Sequence, residues 1–433
     1  MHDALRLLAA LAPVALLQTT VAAQETEPEP LILEIHYDDL LDPSDPDYDE
    51  VLAFVRYPLG SGPVSMGYPA GKMPVFLTAR GGNSNSLVSG QPVGSSITQS
   101  AVDAGFVDVF FNYPEVDSGE DYRVAADGVG LLVQWLRHYA DDLNLRTDQM
   151  TLQARSFGTI VSYSVALGAD RADPLSADPV RRESSRMNYF VPRYGPSTLN
   201  CFSSILGAWA SSLNSLFFPG KTFGEASPEE IVEESANWWL LNPRRFDRAW
   251  TPPMFVVYRA DHDDVCGEID DVHSGLFGEL MVESMDDFAR ATGDWVWRDR
   301  SRGYDNQLLP DPTGPILAWA IERVAEDFGG LYLAPPVGSP GGDVSLRVFQ
   351  AEPNSPVTFF SGTVPGNFPI TGCPLIQGEL IDFVEVGTGV AQGNGLAEVT
   401  FPVSAAAVGQ TIQFHAVDLS ACESSNVYVH QWQ

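Results

Sequence analysis

The sequence has little positive charge and almost no lysine. Its 433 residues carry 24 Lys and Arg against 57 Asp and Glu, which gives a formal net charge of −33. Lys72 and Lys221 are the only lysines. A chain this acidic repels phosphate backbones, so the composition argues against nucleic-acid binding. The charge favours a soluble protein, or one that works in a saline environment.

Long apolar runs are also scarce. The run 7–17 is too short to cross a membrane, and no other segment is long and apolar enough. It follows Arg6 and is followed by the small residues Val21 and Ala23, which is the pattern of a secretory signal peptide, residues 1–23. We therefore expect an exported protein, extracellular or periplasmic, without a membrane span.

Cysteine is rare as well. The chain has 4 cysteines and no CxxC spacing, which argues against a zinc or redox site. Export would permit disulfides, and the even count allows more than one pairing. Proximity along the chain favours Cys201–Cys266 and Cys373–Cys422. We expect no metal and no cofactor.

Hydrophobic residues make up 44% of the chain, enough for a large core. Strand and helix patterns alternate through residues 24–331, which predicts an α/β domain with a mostly parallel sheet and flanking helices. Residues 170–228 look like an irregular insertion over a sheet edge. "WVWRD" is expected to be the last strand and "GPILAWAIERVAEDF" the last helix. A Pro/Gly linker, 332–342, then leads to short alternating strands at 343–433, typical of a small β-sandwich.

The stretch "MTLQARSFGTIVSYSVAL" (150–167) contains the candidate nucleophile, Ser156. Ala154 to Gly158 read A-x-S-x-G, a variant of the G-x-S-x-G turn on which a catalytic serine is exposed between a strand and a helix. The flanking residues must be small because that turn is strained and crowded. The strand pattern before the motif and the helix pattern after it supply the required context. The alternative interpretation is a serine in an ordinary strand-to-helix turn.

Four segments resemble carboxylesterases and hormone-sensitive-lipase-like esterases of the α/β-hydrolase superfamily. In chain order they are "PVFLTARGGN", "AGFVDVFFNYPEV", "AADGVGLLVQWLRHYADDLNLRTDQMTLQARSFG" and "NPRRFDRAWTPPMFVVYRADHDDVC". The resemblance covers about residues 31–330, with a variable stretch in the middle. It implies an α/β-hydrolase fold and cleavage of carboxylic esters through a serine nucleophile and an acyl-enzyme.

The resemblance also implies an oxyanion hole. Gly81 and Gly82 match the glycines of the family's oxyanion loop, and the backbone N–H of Phe157 would be the further donor. Arg80 stands where the family has His, and Asn83 stands at its last Gly. A Gly-rich loop after a strand can instead bind phosphate, but no G-K-[ST] follows here.

The acid and the base are less well defined. The family's acid follows the strand "MFVVY", where we prefer Asp263 and keep Asp261 as the alternative. The family's base lies between the last strand and the last helix, but that loop, "RSRGYDNQLLPDPT", contains no histidine. His273 is therefore the tentative base, and His262 is the less favoured candidate. The other histidines are assigned structural roles.

Two functions compete. The first is a secreted serine hydrolase that cleaves a small or polymeric ester; nothing in the sequence separates ester from amide substrates. The second is a hydrolase-fold protein that has lost its base and acts as a binding or surface protein. Aromatic residues of the insertion, among them Tyr189, Phe190 and Trp209, would line an acyl pocket or pack in the core.

The C-terminal module resembles small β-sandwich domains appended to exported bacterial proteins, through "APPVGSPGG", "AEPNSPVTFFSGTVPG" and "FHAVDLSACESSNVYVH". The resemblance implies attachment to the cell surface or stabilisation rather than catalysis. Carbohydrate binding is the alternative, although Trp432 is the only tryptophan there that looks exposed.

Overall fold

The computed structural model describes residues 31–36, 52–68, 70–79, 81, 96–114, 122–199, 201, 225–233, 235–241, 251–259, 265–266, 269, 273–305, 311–328, 330–370, 373–380 and 382–432. The predicted signal peptide, 1–23, lies outside these ranges. Within them, no helix is long and apolar enough to cross a membrane.

An eight-stranded sheet organises the first part of the molecule. Its strands are β1 (Ile32–His36), β2 (Leu52–Arg56), β3 (Met73–Ala79), β4 (Val107–Phe111), β5 (Leu145–Arg155), β6 (Tyr189–Arg193), β7 (Phe255–Tyr258) and β8 (Arg302–Asp305). They lie in the order β1-β2-β4-β3-β5-β6-β7-β8. β2 is antiparallel to both of its neighbours, and every pair from β4 to β8 is parallel. The predicted fold class, an α/β-hydrolase fold, is confirmed.

Helices cover both faces of this sheet. They are α1 (Ser96–Asp103), α2 (Arg123–His138), α3 (Phe157–Ala166), α4 (Pro228–Glu233), α5 (Ala236–Leu241), α6 (Leu276–Thr292), α7 (Trp295–Arg300) and α8 (Thr313–Phe328). One face packs against apolar side chains of α2, α3 and α6, and the other against those of α1 and α8. The inner parallel strands β3, β4 and β6 are buried on both faces, as expected for crossover connections, whereas the edge strand β8 is not.

The predicted insertion contains a strand of the central sheet. β6 pairs in parallel with β5 over its whole length, and Phe190 and Val191 are fully buried. Pro192 hid this strand in the sequence, because proline cannot donate to a sheet ladder and argues against a central strand. The interpretation of all of 170–228 as an insertion over a sheet edge is therefore wrong for 189–193. Residues 202–224 lie outside the described part of the chain.

The predicted last strand is a helix. "WVWRD" begins α7, whose N-cap Asp294 accepts a hydrogen bond from the Trp297 N–H at 2.9 Å. Gly293, at φ 74°, ends the preceding helix. The aromatic and β-branched residues favoured a strand, but the two caps directly before the segment, Gly293 and Asp294, decide the local structure. The last strand is instead the short β8, and α8 confirms the expected last helix.

The C-terminal part is all-β. Its strands are β9 (Tyr332–Leu333), β10 (Val337–Gly338), β11 (Asp343–Phe349), β12 (Pro356–Gly362), β13 (Pro365–Ile370), β14 (Cys373–Leu380), β15 (Val384–Val390), β16 (Ala397–Pro402), β17 (Thr411–Asp418), β18 (Glu423–Ser424) and β19 (Tyr428–Gln431). The sheet containing β10, β11 and β16 and the sheet containing β15, β12 and β17 are antiparallel. Alternate residues of β11 are buried, as in the predicted sandwich.

The stretch 332–342 is buried over residues 332–336, whereas residues 337–342 are exposed or half-buried. Residues 332–333 form β9, which pairs with β11, and Tyr332 is 1% exposed. The Tyr332 ring lies 5.9 Å from that of Phe106, and the Arg347 guanidinium donates to the Asp103 carbonyl at 2.8 Å. The Pro/Gly composition suggested a solvated connection, but Tyr332 and Leu333 at its start pack in the core.

Two disulfides are present. Cys201 pairs with Cys266, and Cys373 pairs with Cys422. These are the pairings that the sequence analysis favoured. Disulfides persist in oxidising compartments, so both fit an extracellular or periplasmic protein.

Candidate active site

The candidate nucleophile lies in the turn between β5 and α3. Ser156 has φ 55° and ψ −125°, a conformation that is strained for any residue with a side chain. The turn is held from both sides of the serine: its N–H donates to the Arg193 carbonyl at 3.0 Å, and its carbonyl accepts from the Thr159 N–H at 2.9 Å. This is the sharp strand-to-helix turn on which the motif depends.

Small residues are required around this turn. A Cβ atom added to Gly81 would lie 3.0 Å from the Arg155 carbonyl oxygen and 3.4 Å from the Ser156 Cβ. One added to Gly195 would lie 2.4 Å from the Thr159 Cβ and 3.0 Å from the Ser156 carbonyl oxygen. Both glycines therefore allow backbone segments to approach the serine closely.

An imidazole lies within hydrogen-bonding distance of the serine. Ser156 Oγ is 2.8 Å from His273 Nε2. His273 is exposed and lies in the loop between β7 and α6, three residues before the helix begins. A neutral imidazole at this position can accept the hydroxyl proton when the serine attacks a carbonyl carbon. The pair thus has the geometry of a nucleophile and its general base.

The loop that carries His273 is tied to the rest of the domain. The Cys201–Cys266 disulfide joins it to the chain that follows β6. The Ile269 N–H donates to the Cys201 carbonyl at 3.3 Å, and the Ile269 side chain is fully buried. Just beyond His273, the Ser197 hydroxyl donates to the Phe277 carbonyl at 2.5 Å. These contacts hold the loop on both sides of the imidazole.

Two of the three predicted oxyanion residues are described, and both lie beside Ser156. Gly81 packs against the turn, and Phe157 is the first residue of α3. The N–H of a first helical residue has no partner within its own helix, and a helix N-terminus favours negative charge. Gly82 lies outside the described residues, as do the acid candidates Asp261 and Asp263 and the alternative base His262.

The other described histidines away from the serine have ordinary explanations. Burial lowers the pKa of His415 to about 4 and that of His430 to about 4, so both are neutral near pH 7. They belong to the β-sandwich. His138 lies at the end of α2, 3.9 Å from a Glu183 carboxylate oxygen.

The aromatic residues proposed for an acyl pocket or a carbohydrate surface are buried. Tyr189 is 3% exposed and Phe190 is fully buried, so both pack in the core. Trp432 is 1% exposed and lies against the ring of His430, with centroids 4.3 Å apart. Trp432 is therefore not available on the surface for carbohydrate binding. Trp209 lies outside the described residues.

The contribution of β6 to the site was not predicted from the sequence. Because 170–228 was taken as an insertion, the Arg193 carbonyl that binds the Ser156 N–H and the glycine at 195 that admits the turn were not predicted. The signal was present in "MNYFVPRYG", an apolar run bounded by turn residues, although its proline concealed it.

The strand order and the strained serine turn define an α/β-hydrolase fold. No family model matches the sequence, and no curated protein matches it. Among solved structures, an acetyl ester-xyloside bifunctional hydrolase from Caldicellulosiruptor lactoaceticus matches at 16% identity and TM-score 0.43, covering 59% of this chain and 81% of that one.

Two further esterase structures are similar at the same level. The esterase Est2 from Thermogutta terrifontis matches at 14% identity and TM-score 0.43, covering 68% of this chain and 92% of that one. A putative carboxylesterase from Lactobacillus plantarum matches at 13% identity and TM-score 0.40, covering 60% and 84%. Likenesses this remote do not indicate which reaction the chain performs.

Proposed function

We propose that the protein is an exported serine hydrolase that cleaves carboxylic esters through an acyl-enzyme. The observation that carries the proposal is the 2.8 Å contact between Ser156 Oγ and His273 Nε2 at a strained turn. In this scheme His273 takes the serine proton as Oγ attacks the ester carbonyl. It then gives that proton to the departing alcohol, and a water molecule hydrolyses the acyl-enzyme with the imidazole again as base.

The negative charge that forms on the carbonyl oxygen needs donors that are already in place. The Phe157 N–H at the start of α3 is the first of these, and the loop of Gly81 and Gly82 supplies the others. Asp263, or Asp261 in its place, would orient His273 and stabilise its protonated form. In this scheme the acid and the base both come from the loop after β7.

The contact at Ser156 also bears on the alternative, a hydrolase-fold protein without turnover. That alternative rested on the absence of a histidine between β8 and α8. His273, from the loop between β7 and α6, supports an active enzyme because it can serve as the general base that the loop between β8 and α8 lacks. Export is supported by the signal-peptide pattern together with the two disulfides.

The proposal is tested with a panel of aryl and alkyl esters, comparing the wild type with Ser156→Ala and His273→Ala. A positioned general base contributes about 10²–10⁴-fold, so His273→Ala should lower kcat by that factor and Ser156→Ala at least as much. A fluorophosphonate should label Ser156 in the wild type.

The controls separate the roles of the neighbouring residues. His138→Ala alters a histidine far from the serine and should leave kcat unchanged. Asp263→Asn and Asp261→Asn, measured side by side, identify the orienting acid as the one that lowers kcat. Ester hydrolysis that proceeds at the wild-type rate in Ser156→Ala would refute the assignment of the nucleophile, and an unaffected His273→Ala would refute that of the base.

A further inference from the structure

Three neighbouring strands of the sheet end in arginine beside the candidate nucleophile. Arg155 is the last residue of β5, Arg193 is the last of β6, and Arg259 directly follows β7. Arg155 and Arg193 are register partners in the parallel pair. Because side chains alternate along a strand, each arginine shares its sheet face with the residue two positions earlier. For Arg193 and Arg259 those residues are Val191 and Val257, both in the core beneath α1 and α8.

Two of these arginines are tied directly to Ser156. Arg155 precedes it in the chain, and the Arg193 carbonyl accepts the hydrogen bond from the Ser156 N–H at 3.0 Å. The main chain of both residues therefore flanks the candidate nucleophile. Burial raises the pKa of Tyr194, and the charges of Arg193, Arg155 and Arg259 all oppose that shift, so the three guanidinium groups lie around one side chain at this end of the sheet.

Placing these arginines close together costs the protein free energy when no anion is bound. Like charges on neighbouring strands repel each other. Burial, and to a smaller extent the charge of Arg155, lower the pKa of Arg193. The chain carries 57 acidic residues against 24 Lys and Arg, so clustering its cations at one sheet edge is not a consequence of composition.

The charges of Arg155 and Arg193 are only partly compensated among the described residues. Arg193 Nε is buried without a hydrogen-bond partner there, and Arg155 is exposed with no described hydrogen bond or ion pair. The Arg193 side chain is hydrogen-bonded to the Tyr194 side chain, and its guanidinium lies 5.8 Å from the centre of the Tyr194 ring. Asp311 also acts on Arg193, but its Oδ1 already accepts from the Thr313 N–H and hydroxyl at 3.0 and 2.6 Å.

We propose that Arg155 and Arg193, with Arg259 at the margin, form a carboxylate-binding subsite next to Ser156, and that the substrates are esters carrying a free carboxylate. Half-esters of dicarboxylic acids are the simplest members of this class. Guanidinium groups bind carboxylates through paired, charge-assisted hydrogen bonds. Such local cations are needed here because the net charge of −33 repels an anionic substrate at longer range. This inference rests on the proposed ester hydrolysis.

The test measures binding without turnover. Ser156→Ala protein is titrated by calorimetry with monoethyl succinate, monoethyl glutarate and monoethyl adipate, and with ethyl butyrate, ethyl valerate and ethyl hexanoate as their neutral counterparts. We expect at least one half-ester to bind about tenfold or more tightly than its counterpart, as a charge-assisted hydrogen bond allows. We also expect this preference to weaken as salt is added.

Adding Arg155→Gln to Ser156→Ala should remove most of that preference while affinity for the neutral ester stays the same. Arg155 is exposed, so this substitution should not prevent folding. Arg290→Gln is the matched control, because it removes one positive charge from an exposed arginine on α6, away from the serine. The control should keep the preference for the half-ester.

The outcomes separate the two proposals. Equal binding of half-esters and neutral esters, or a preference that survives Arg155→Gln, overturns the subsite even if the wild type hydrolyses neutral esters through Ser156. A wild type that hydrolyses no ester overturns the proposed function, whereas the binding measurement on Ser156→Ala still decides whether the carboxylate subsite exists.

Discussion

Asp108 is a carboxyl group in an apolar surrounding. It lies on β4, is fully buried, and neither carboxyl oxygen has a hydrogen-bond partner among the described residues. Arg56 is its register partner on β2. Burial raises the pKa of Asp108 to about 8, and the charge of Arg56 opposes that shift only in part. The carboxyl group is therefore protonated in the folded protein near neutral pH.

We predict that the free energy of unfolding of Asp108→Asn, compared with that of the wild type at the same pH, increases as pH rises. An unfolded Asp loses its proton near pH 4, whereas the folded one keeps it up to pH about 8. Between these values the folded state binds more protons, so wild-type stability falls with rising pH by on the order of 1 kcal/mol per pH unit. Asparagine removes this dependence. Denaturant unfolding of both proteins at pH 4 to 8 measures it.

Asp299→Asn is the control for this measurement, because Asp299 is an exposed carboxylate on α7. It should leave the pH dependence of the free energy of unfolding as in the wild type. A stability difference between Asp108→Asn and the wild type that stays constant from pH 4 to pH 8 would show that Asp108 is not protonated in the folded state.

At the scale of elements, the proposed mechanism takes both the acid and the base, His273, from the loop between β7 and α6. The resemblance had placed the acid and the base on two different loops. The anchors of the loop between β7 and α6 are the Cys201–Cys266 disulfide and the buried Ile269. A catalytic group on a loop is positioned only as well as the loop is held, and a displacement of about 1 Å can cost about 100-fold in rate.

We predict that replacing the Cys201–Cys266 disulfide lowers kcat as well as stability. The Cys201→Ser, Cys266→Ser double variant should lose about 4 kcal/mol of unfolding free energy, as expected from the loop-closure entropy of a 65-residue separation. It should also lose about tenfold or more in kcat, because His273 is then held less firmly. Ester kinetics at a temperature where the variant is folded, together with denaturant unfolding, measure both effects.

The second disulfide is a matched control. Cys373–Cys422 closes a chain separation of 49 residues against 65 for the first, so a similar loss of stability is expected when it is replaced. It lies in the β-sandwich, and its loss should leave kcat near the wild-type value. Equal kcat values in the two double variants would mean that the first disulfide has only a structural role.

At the scale of the whole molecule, the two domains share buried surface. Tyr332, Tyr428 and Trp432 are nearly inaccessible to solvent. Tyr332 packs against residues of the first domain, and the Tyr428 hydroxyl lies 4.0 Å from the Met73 sulfur. A Cβ atom on Gly60 would lie 2.1 Å from the His430 ring. The sandwich thus covers part of the hydrolase core, which differs from the sequence expectation of a free module behind a linker.

We predict that a chain ending at Gly330 is strongly destabilised. The truncation removes Tyr332 and Tyr428 and exposes the apolar groups beneath them, such as Phe106. In the full chain, Tyr332→Ala should cost about 3–5 kcal/mol, the range for large aromatic residues in a core. Thermal unfolding followed by circular dichroism measures both changes. Val390→Ala, an exposed residue of the sandwich, should have little effect.

A truncated chain that unfolds at the wild-type temperature and keeps wild-type ester activity would contradict this prediction. That result would restore the expectation drawn from the sequence, in which the sandwich is an attachment module independent of the catalytic domain. It would also imply that the shared surface contributes little free energy.

Local sequence signals determined the class of fold and the position of the candidate nucleophile. Alternation of strand and helix patterns predicted the parallel sheet, and A-x-S-x-G between a strand and a helix predicted the strained turn at Ser156. These signals are short-range, because strand periodicity and small residues around a sharp turn are properties of adjacent positions. The same logic failed at Pro192 and at "WVWRD", where pairing partners or caps outweighed composition.

The tertiary structure decided which histidine meets the serine. His273 and Ser156 are 117 positions apart, and no local pattern links them. They meet because the carboxyl ends of β5 and β7 lie at the same edge of the sheet, and because a disulfide and Ile269 hold the loop after β7 there. Arg155 and Arg193 are likewise brought together by strand pairing, since they are register partners of the parallel strands β5 and β6. Distances across a sheet follow from strand order, and a single sequence records strand order only indirectly.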